Sequence, residues 1–171
     1  VEAQKLFKIP EKKLDIIIHP NSLVHAIIEL NNGLSEFIYH ETSMIIPIAN
    51  AIYEENLRIE DFYQNKSFPN ENKLIFLKVN QKIFPIIKLK KLINKYSSSS
   101  IIVNASNEIL VEQFLRGKIP FLGISRIIMS VLKDRNYKKN AIKRAKNLGQ
   151  IIKLDNWAKE ITFSKIKKFY A

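Results

Sequence analysis

Residues 15–30 read DIIIHPNSLVHAIIEL. A polar knot of His19, Pro20, Asn21 and Ser22 divides two apolar runs, and a second histidine, His25, sits inside the run that follows. The first run, LDIIIH, is short and nearly all apolar, which suits a strand buried on both faces. Pro20 cannot donate to a sheet ladder and forces a bend before the next strand. Asn21 and Ser22 can bond nearby backbone at such a bend. SLVHAIIEL reads as a second strand, and LSEFIYH, residues 34–40, as a third. Between them NNG makes a hairpin turn in which Asn32-Gly33 takes positive φ. A sheet is therefore present, and the chain is not all helical.

The pattern on either side is different. EAQKLFKI, before Pro10, reads as the last turns of a helix. SMIIPIANAIYEE has helical spacing, with Ser43 as its N-cap and Pro47 in the first turn, where a missing N–H costs least. Residues 56–73 are polar and irregular and form the candidate linker. KLIFLKV is a short extended segment. From Phe84 onward the spacing is helical: FPIIKLKKLINKY up to a break at SSSS, NASNEILVEQFLRG with Asn104 as N-cap and Gly117 just past its end, FLGISRIIMSVLKDR, and a last helix from about Asp155. The expected fold class is α+β: a sheet-containing piece over 1–62, a connecting linker over 63–83 and a C-terminal α-helical bundle over 84–171.

Composition narrows the chemistry. The 171 residues include no Cys, which excludes a disulfide scaffold, a zinc–thiolate centre and a cysteine nucleophile. No apolar run approaches the roughly 20 residues that span a bilayer, and the N-terminus has no signal-peptide core. A cytoplasmic setting with no membrane partner is expected. The missing initiator Met suggests a piece of a longer chain. The net charge of +12 resembles a nucleic-acid signal, but 23 Lys stand against 5 Arg, beside 29 Ile and 16 Asn. These are residues of A/T-rich codons, and coding bias accounts for much of the charge. Residues 1–60 carry a net of −4 and residues 133–171 a net of +9. Arg forks and interleaved aromatics are scarce in that tail, so no nucleic-acid partner is expected.

The three histidines, His19, His25 and His40, show no metal-ligand spacing. A chain with four Gly carries no dinucleotide fingerprint, and no nucleophile elbow occurs. The residues alone leave His25 as either a satisfied core histidine or a pocket residue. For His19 and Asn21 a strand connection with locally satisfied polar groups is the simpler reading. Asn104, Asn107 and Glu108 share one side of a helix start that continues into Val111 and Leu115. They read as a polar lock on a core-facing helix rather than a ligand site.

These motifs together resemble the 1-deoxy-D-xylulose 5-phosphate reductoisomerase family. VEAQKLF…IHPNSLVHAI is similar to a family segment reading roughly V-E-A…IHPQS-x-x-H-S, NASNEILVEQFL to its L-N-A-A-N-E…F-L, and SMIIPIANAI to its D-M-x-x-P-I-x-x-A-L. The likeness covers nearly the whole chain and departs at Thr42-Ser43, where the family has P-D, and at Asn21 for Gln. It implies the C-terminal half of an enzyme that converts 1-deoxyxylulose 5-phosphate to 2-C-methylerythritol 4-phosphate in isoprenoid biosynthesis, with residues 1–62 the remainder of its sheet-containing catalytic domain. NADPH and a divalent metal, Mg or Mn, serve that family as cofactors, and it is homodimeric. The NADPH domain and the acidic metal ligands would precede Val1, so the chain alone is expected to be inactive and to supply no metal ligand. By the resemblance, Ser22 and His25 bind the sugar phosphate and His25 is catalytic. Met44 lies beside the cofactor and Glu2 stands behind the metal site. The rival expectation is a free-standing helical scaffold whose Lys-rich tail meets an anionic partner.

Overall fold

A computed structural model describes residues 4, 6–53, 57–63 and 73–170. The chain is α+β and divides into two compact units: Ile16–Val79, and Val1–Asp15 together with Asn80–Ala171.

In the first unit β1 (Ile17–Ile18) precedes a hairpin of β2 (Val24–Glu29) and β3 (Ser35–Tyr39), which leads into α1 (Ile45–Tyr53). A short strand β4 (Leu77–Lys78) returns to pair antiparallel with β1, Ile17 opposite Lys78 and Ile18 opposite Leu77. The expected hairpin turn at NNG forms, but Asn32 does not take positive φ. Gly33 alone takes positive φ, at +87°. Its amide donates to the Leu30 carbonyl at 3.1 Å, and the Leu30 amide pairs with Leu34. This is a three-residue loop with Gly in the left-handed position, and the Asn32 side chain accepts from the Leu34 amide at 3.0 Å. The doubly buried strand is also corrected. Ile16 and Ile17 are about half exposed, and the ladder of β1 with β4 spans two residues on each strand. Ser43 caps α1 as expected, its hydroxyl accepting from the Ile45 amide at 3.3 Å. Leu23 and Ala49 are the buried apolar side chains among this unit's described residues.

The second unit is helical. After a 3₁₀ turn at Pro85–Lys88 come α2 (Leu89–Leu92), α3 (Ser99–Leu115), α4 (Phe121–Leu132), α5 (Tyr137–Ala141) and α6 (Leu148–Tyr170). Its core is built from Ile102, Leu110, Ile127, Ile128, Val131 and Ala158, none more than 1% exposed. The end of α3 follows expectation. Gly117 takes φ +69°, its amide bonds the Phe114 carbonyl at 2.8 Å, and the Lys118 amide bonds Gln113 at 2.9 Å, a Schellman pair. The start does not. SSSS is a break only in part: Ser97 and Ser98 lie between α2 and α3, but α3 begins at Ser99, five residues before Asn104, and Ser98 and Ser99 are buried. The Ser98 hydroxyl donates to the Lys143 carbonyl at 2.6 Å and accepts from the Ala145 amide at 3.3 Å. Ser99 meets the Tyr137 hydroxyl at 2.7 Å. Burial pushes the Tyr137 phenol pKa up, although the Ser99 contact opposes this.

The proposed lock face is corrected too. Asn104, Asn107, Glu108, Val111 and Leu115 are exposed, Leu115 at 77%. The opposite face of α3 packs instead. Among the described residues, Glu108 from the expected set forms an ion pair with Lys159 at 2.9 Å. The last helix begins at Leu148, seven residues earlier than read, and α5 went unread. Asp134, 11% exposed, pairs with Lys165 at 3.0 Å. Burial acts to raise the Asp134 carboxyl pKa, but the Asn136 amide and Lys165 outweigh it and hold it below the ordinary carboxylate range.

Ser98→Ala strips partners from the Lys143 carbonyl and the Ala145 amide. It is expected to cost about 1–3 kcal/mol, read as a lower urea midpoint at unchanged slope. Asn107→Leu, on the exposed face, is expected to move that midpoint by no more than about 0.5 kcal/mol.

The contribution of Asp134 is present above the ordinary Asp value, about 3.9, and is lost as pH falls through its lower folded value. Asp134→Asn is therefore expected to lower thermal stability at pH 7 and to narrow its gap from the parent chain below about pH 3. Melts across that range check it.

Candidate functional site

The polar knot folds into a tight turn. The Ser22 amide donates to the His19 carbonyl at 3.0 Å, with Pro20 at the second position, where its fixed φ fits. Ser22 itself takes φ +55°. A left-handed conformation costs an L-residue about 1–2 kcal/mol, and strain of this kind gathers at functional sites. The Ser22 side chain is exposed.

His25 follows at a β-bulge. Val24 pairs with Tyr39 and Ala26 with Ile38, so His25 is the extra residue between them. A bulge interrupts the two-residue alternation and re-aims the side chain it carries. Leu23 is buried and His25 exposed, although simple alternation puts them on one face. The His25 ring lies flat on the His40 ring, centroids 3.8 Å apart and planes 11° from parallel. Its Nε2 meets the His40 main-chain carbonyl at 3.2 Å. A carbonyl only accepts, so Nε2 carries the hydrogen, and in the neutral ring Nδ1 keeps a free lone pair. His40 is held in turn: its Nδ1 donates to the Glu41 carbonyl and its amide to the Leu23 carbonyl, the latter at 3.0 Å.

His19 faces other partners. Its Nδ1 donates to the Ile75 carbonyl at 2.8 Å, and its ring lies 5.2 Å from that of Phe76. Its Nε2 is buried with no hydrogen-bond partner, as is Glu41 Oε1. His19 thus ties the turn to the segment entering β4. Met44 stands immediately before α1 and is 67% exposed. Glu2 lies outside the described residues. The structure brings His25 and His40 together, with Ser22 on the turn leading to them. His40 was missed as a site residue. Counting back from the Gly33 turn places it beside the start of β2, so hairpin register was the available signal. Among the described residues no three His, Cys, Asp or Glu side chains gather to hold a metal ion, and no helix is long and apolar enough to cross a membrane.

Against known proteins, the family model described as the DXP reductoisomerase C-terminal domain matches residues 40–161. The chain belongs to the DXP reductoisomerase family. A 1-deoxy-D-xylulose 5-phosphate reductoisomerase of Pelagibacter ubique is 35% identical over 161 residues, covering 92% of this chain and 40% of that protein. One from Campylobacter jejuni subsp. doylei is 36% identical over 137 residues, covering 76% of this chain and 38% of that protein. A crystal structure of a DOX-P reductoisomerase with magnesium superposes at TM-score 0.82 and 28% identity, over 99% of this chain and 44% of that one. The Zymomonas mobilis reductoisomerase in complex with NADPH gives 0.78 and 26%, over 96% of this chain and 42% of that one. The chain thus spans about two fifths of the length of the reductoisomerases it matches. The scaffold alternative is not favoured: the family match takes in parts of both units.

If Ser22 is strained as its φ indicates, Ser22→Gly is expected to raise stability by about 1 kcal/mol, and Ser22→Val to lower it. Thermal melts of the two variants, which should move in opposite directions, check it.

Proposed function

We propose that this chain forms the C-terminal part of a 1-deoxy-D-xylulose 5-phosphate reductoisomerase and supplies one wall of its substrate pocket. The match of the family model over residues 40–161 carries this reading. The reaction proposed for the whole enzyme is conversion of the sugar phosphate to 2-C-methyl-D-erythritol 4-phosphate, with NADPH as hydride donor. The similar reductoisomerase structures are complexes with magnesium and with NADPH, which supports these cofactors for the whole enzyme. The described residues offer no group of three His, Cys, Asp or Glu side chains that could hold the metal ion.

The part this chain plays is binding and orientation. Ser22 offers a hydroxyl from an exposed turn, able to donate to or accept from a substrate oxygen. His25 presents Nδ1, which accepts from a substrate hydroxyl in the neutral ring and donates to an anionic oxygen once protonated. Met44 offers an exposed thioether, a flexible apolar surface fit to lie against a ring. These assignments of Ser22, His25 and Met44 are proposals, as is a supporting role for Glu2.

The sheet unit supports the idea of a larger assembly. Phe37, Ile38, Ile48, Ile52, Ile75 and Leu77 are each at least 46% exposed there. Small antiparallel sheets need a packed layer for stability, and so much uncovered apolar side chain fits burial against further protein, including a second copy in a homodimer. By this reading the chain alone does not turn over substrate.

His25→Gln in the full-length enzyme is expected to lower kcat/KM by about tenfold to a thousandfold, since Gln keeps a donor but not the imidazole's proton chemistry. His19→Gln, remote in role, is expected to do less. Steady-state kinetics at matched folded fraction decide; a larger loss from His19→Gln would put the wrong histidine in the pocket.

A further inference from the structure

We propose that His40 is a positioning residue for His25, its ring and its main-chain carbonyl together holding the His25 imidazole in one rotamer and one tautomer. This inference rests on the reading of His25 as a substrate-facing residue.

The need for such a device follows from where His25 sits. As the extra residue of a bulge it has no cross-strand partner to fix its direction, and it is exposed. An exposed side chain with nothing against it samples several rotamers. Here two restraints act at once. The 3.2 Å bond from Nε2 to the His40 carbonyl sets the tautomer and leaves Nδ1 free. The stack at 3.8 Å and 11° fixes the ring plane, which one hydrogen bond leaves free to rock. His40 can serve as the stop because it is anchored itself. Its amide bonds the carbonyl of Leu23, which is 3% exposed, and its Nδ1 bonds the Glu41 carbonyl. The restraint therefore runs from buried Leu23, through His40, to His25.

The two restraints separate by mutation, because every residue at position 40 keeps the carbonyl and only a flat ring keeps the stack. In the full-length enzyme His40→Ala is expected to lower kcat about tenfold or more while KM moves less than about twofold, the mark of lost orientation. His40→Phe restores a ring and is expected within about threefold of the parent enzyme. His40→Leu keeps bulk without a ring, and serves in place of the alanine variant if that variant does not fold, with the same loss expected. In a His25→Gln background, His40→Ala is expected to add less than about twofold, because the residue it positions is gone. Crystal structures of the variants supply the second readout: the His25 ring swings or splits between rotamers in His40→Ala and stays put in His40→Phe. An unmoved His25 ring in His40→Ala overturns the proposal whatever the kinetics. So does a full effect of His40→Ala in the His25→Gln background, or equal losses in the alanine and phenylalanine variants. If His25→Gln is kinetically silent while His40→Ala swings the ring, the substrate role of His25 fails and the positioning stands.

Discussion

The helical unit depends on the close approach of α3 to α6. Ala105 and Ser106 on one helix and Ala158 and Thr162 on the other are fully buried. The hydroxyls of Ser106 and Thr162 lie 3.0 Å apart, and that of Thr162 also donates to the Ala158 carbonyl at 2.6 Å. Small residues at a helix contact let the backbones come near, and the two hydroxyls satisfy each other instead of water. Glu108 with Lys159 continues the contact outward in the same antiparallel sense. With these two helices fixed, α4 closes the layer with Ile127, Ile128 and Val131. Ser98 fixes the stretch leading from α5 toward α6 by bonding Lys143 and Ala145.

Among its described residues the sheet unit shows no comparable core. Leu23 and Ala49 are buried, while apolar side chains on β3, on α1 and before β4 stay open. Burial contributes about 25 cal/mol per Å² of apolar surface removed from water, and little of that is realised within this unit. Its described strands form two small two-stranded sheets. This accords with a chain that spans about two fifths of the reductoisomerases it matches.

Local signals were legible wherever one residue type has one physical use. Gly33 and Gly117 marked a turn and a helix end because only glycine takes positive φ freely. Ser43 marked a cap, and short apolar runs on either side of the NNG turn marked β2 and β3. Four serines in a row misled, because composition does not show that Ser98 and Ser99 are buried with partners 38 to 47 residues away. Asn104, Asn107 and Glu108 misled in the opposite sense. Their spacing gives a common face correctly, but not which way that face points, and α3 has buried residues on its other side. At the site, the turn residues and His25 were visible from the polar interruption of apolar runs. The bulge was not, since one extra residue in a ladder leaves no mark on the apolar pattern. Without the bulge the alternation puts His25 beside Leu23 in the core, and His40 has no evident role.

Local irregularity is concentrated within the few residues from His19 to His25. They hold a buried ring nitrogen without a partner, a left-handed serine and a bulge. Each runs against stability, by about 1–3 kcal/mol for an orphaned buried group and 1–2 kcal/mol for the serine. A sequence under selection for stability alone would replace Ser22 with glycine and leave out the extra residue. Keeping them makes sense if the turn and the bulge serve to aim side chains. The turn presents the Ser22 hydroxyl, and the bulge turns His25 away from the face of Leu23 and onto the ring of His40. Leu23 bears on both sides of that arrangement: its side chain is buried, and its carbonyl anchors His40. One residue of the small core thereby sets the orientation of the imidazole pair.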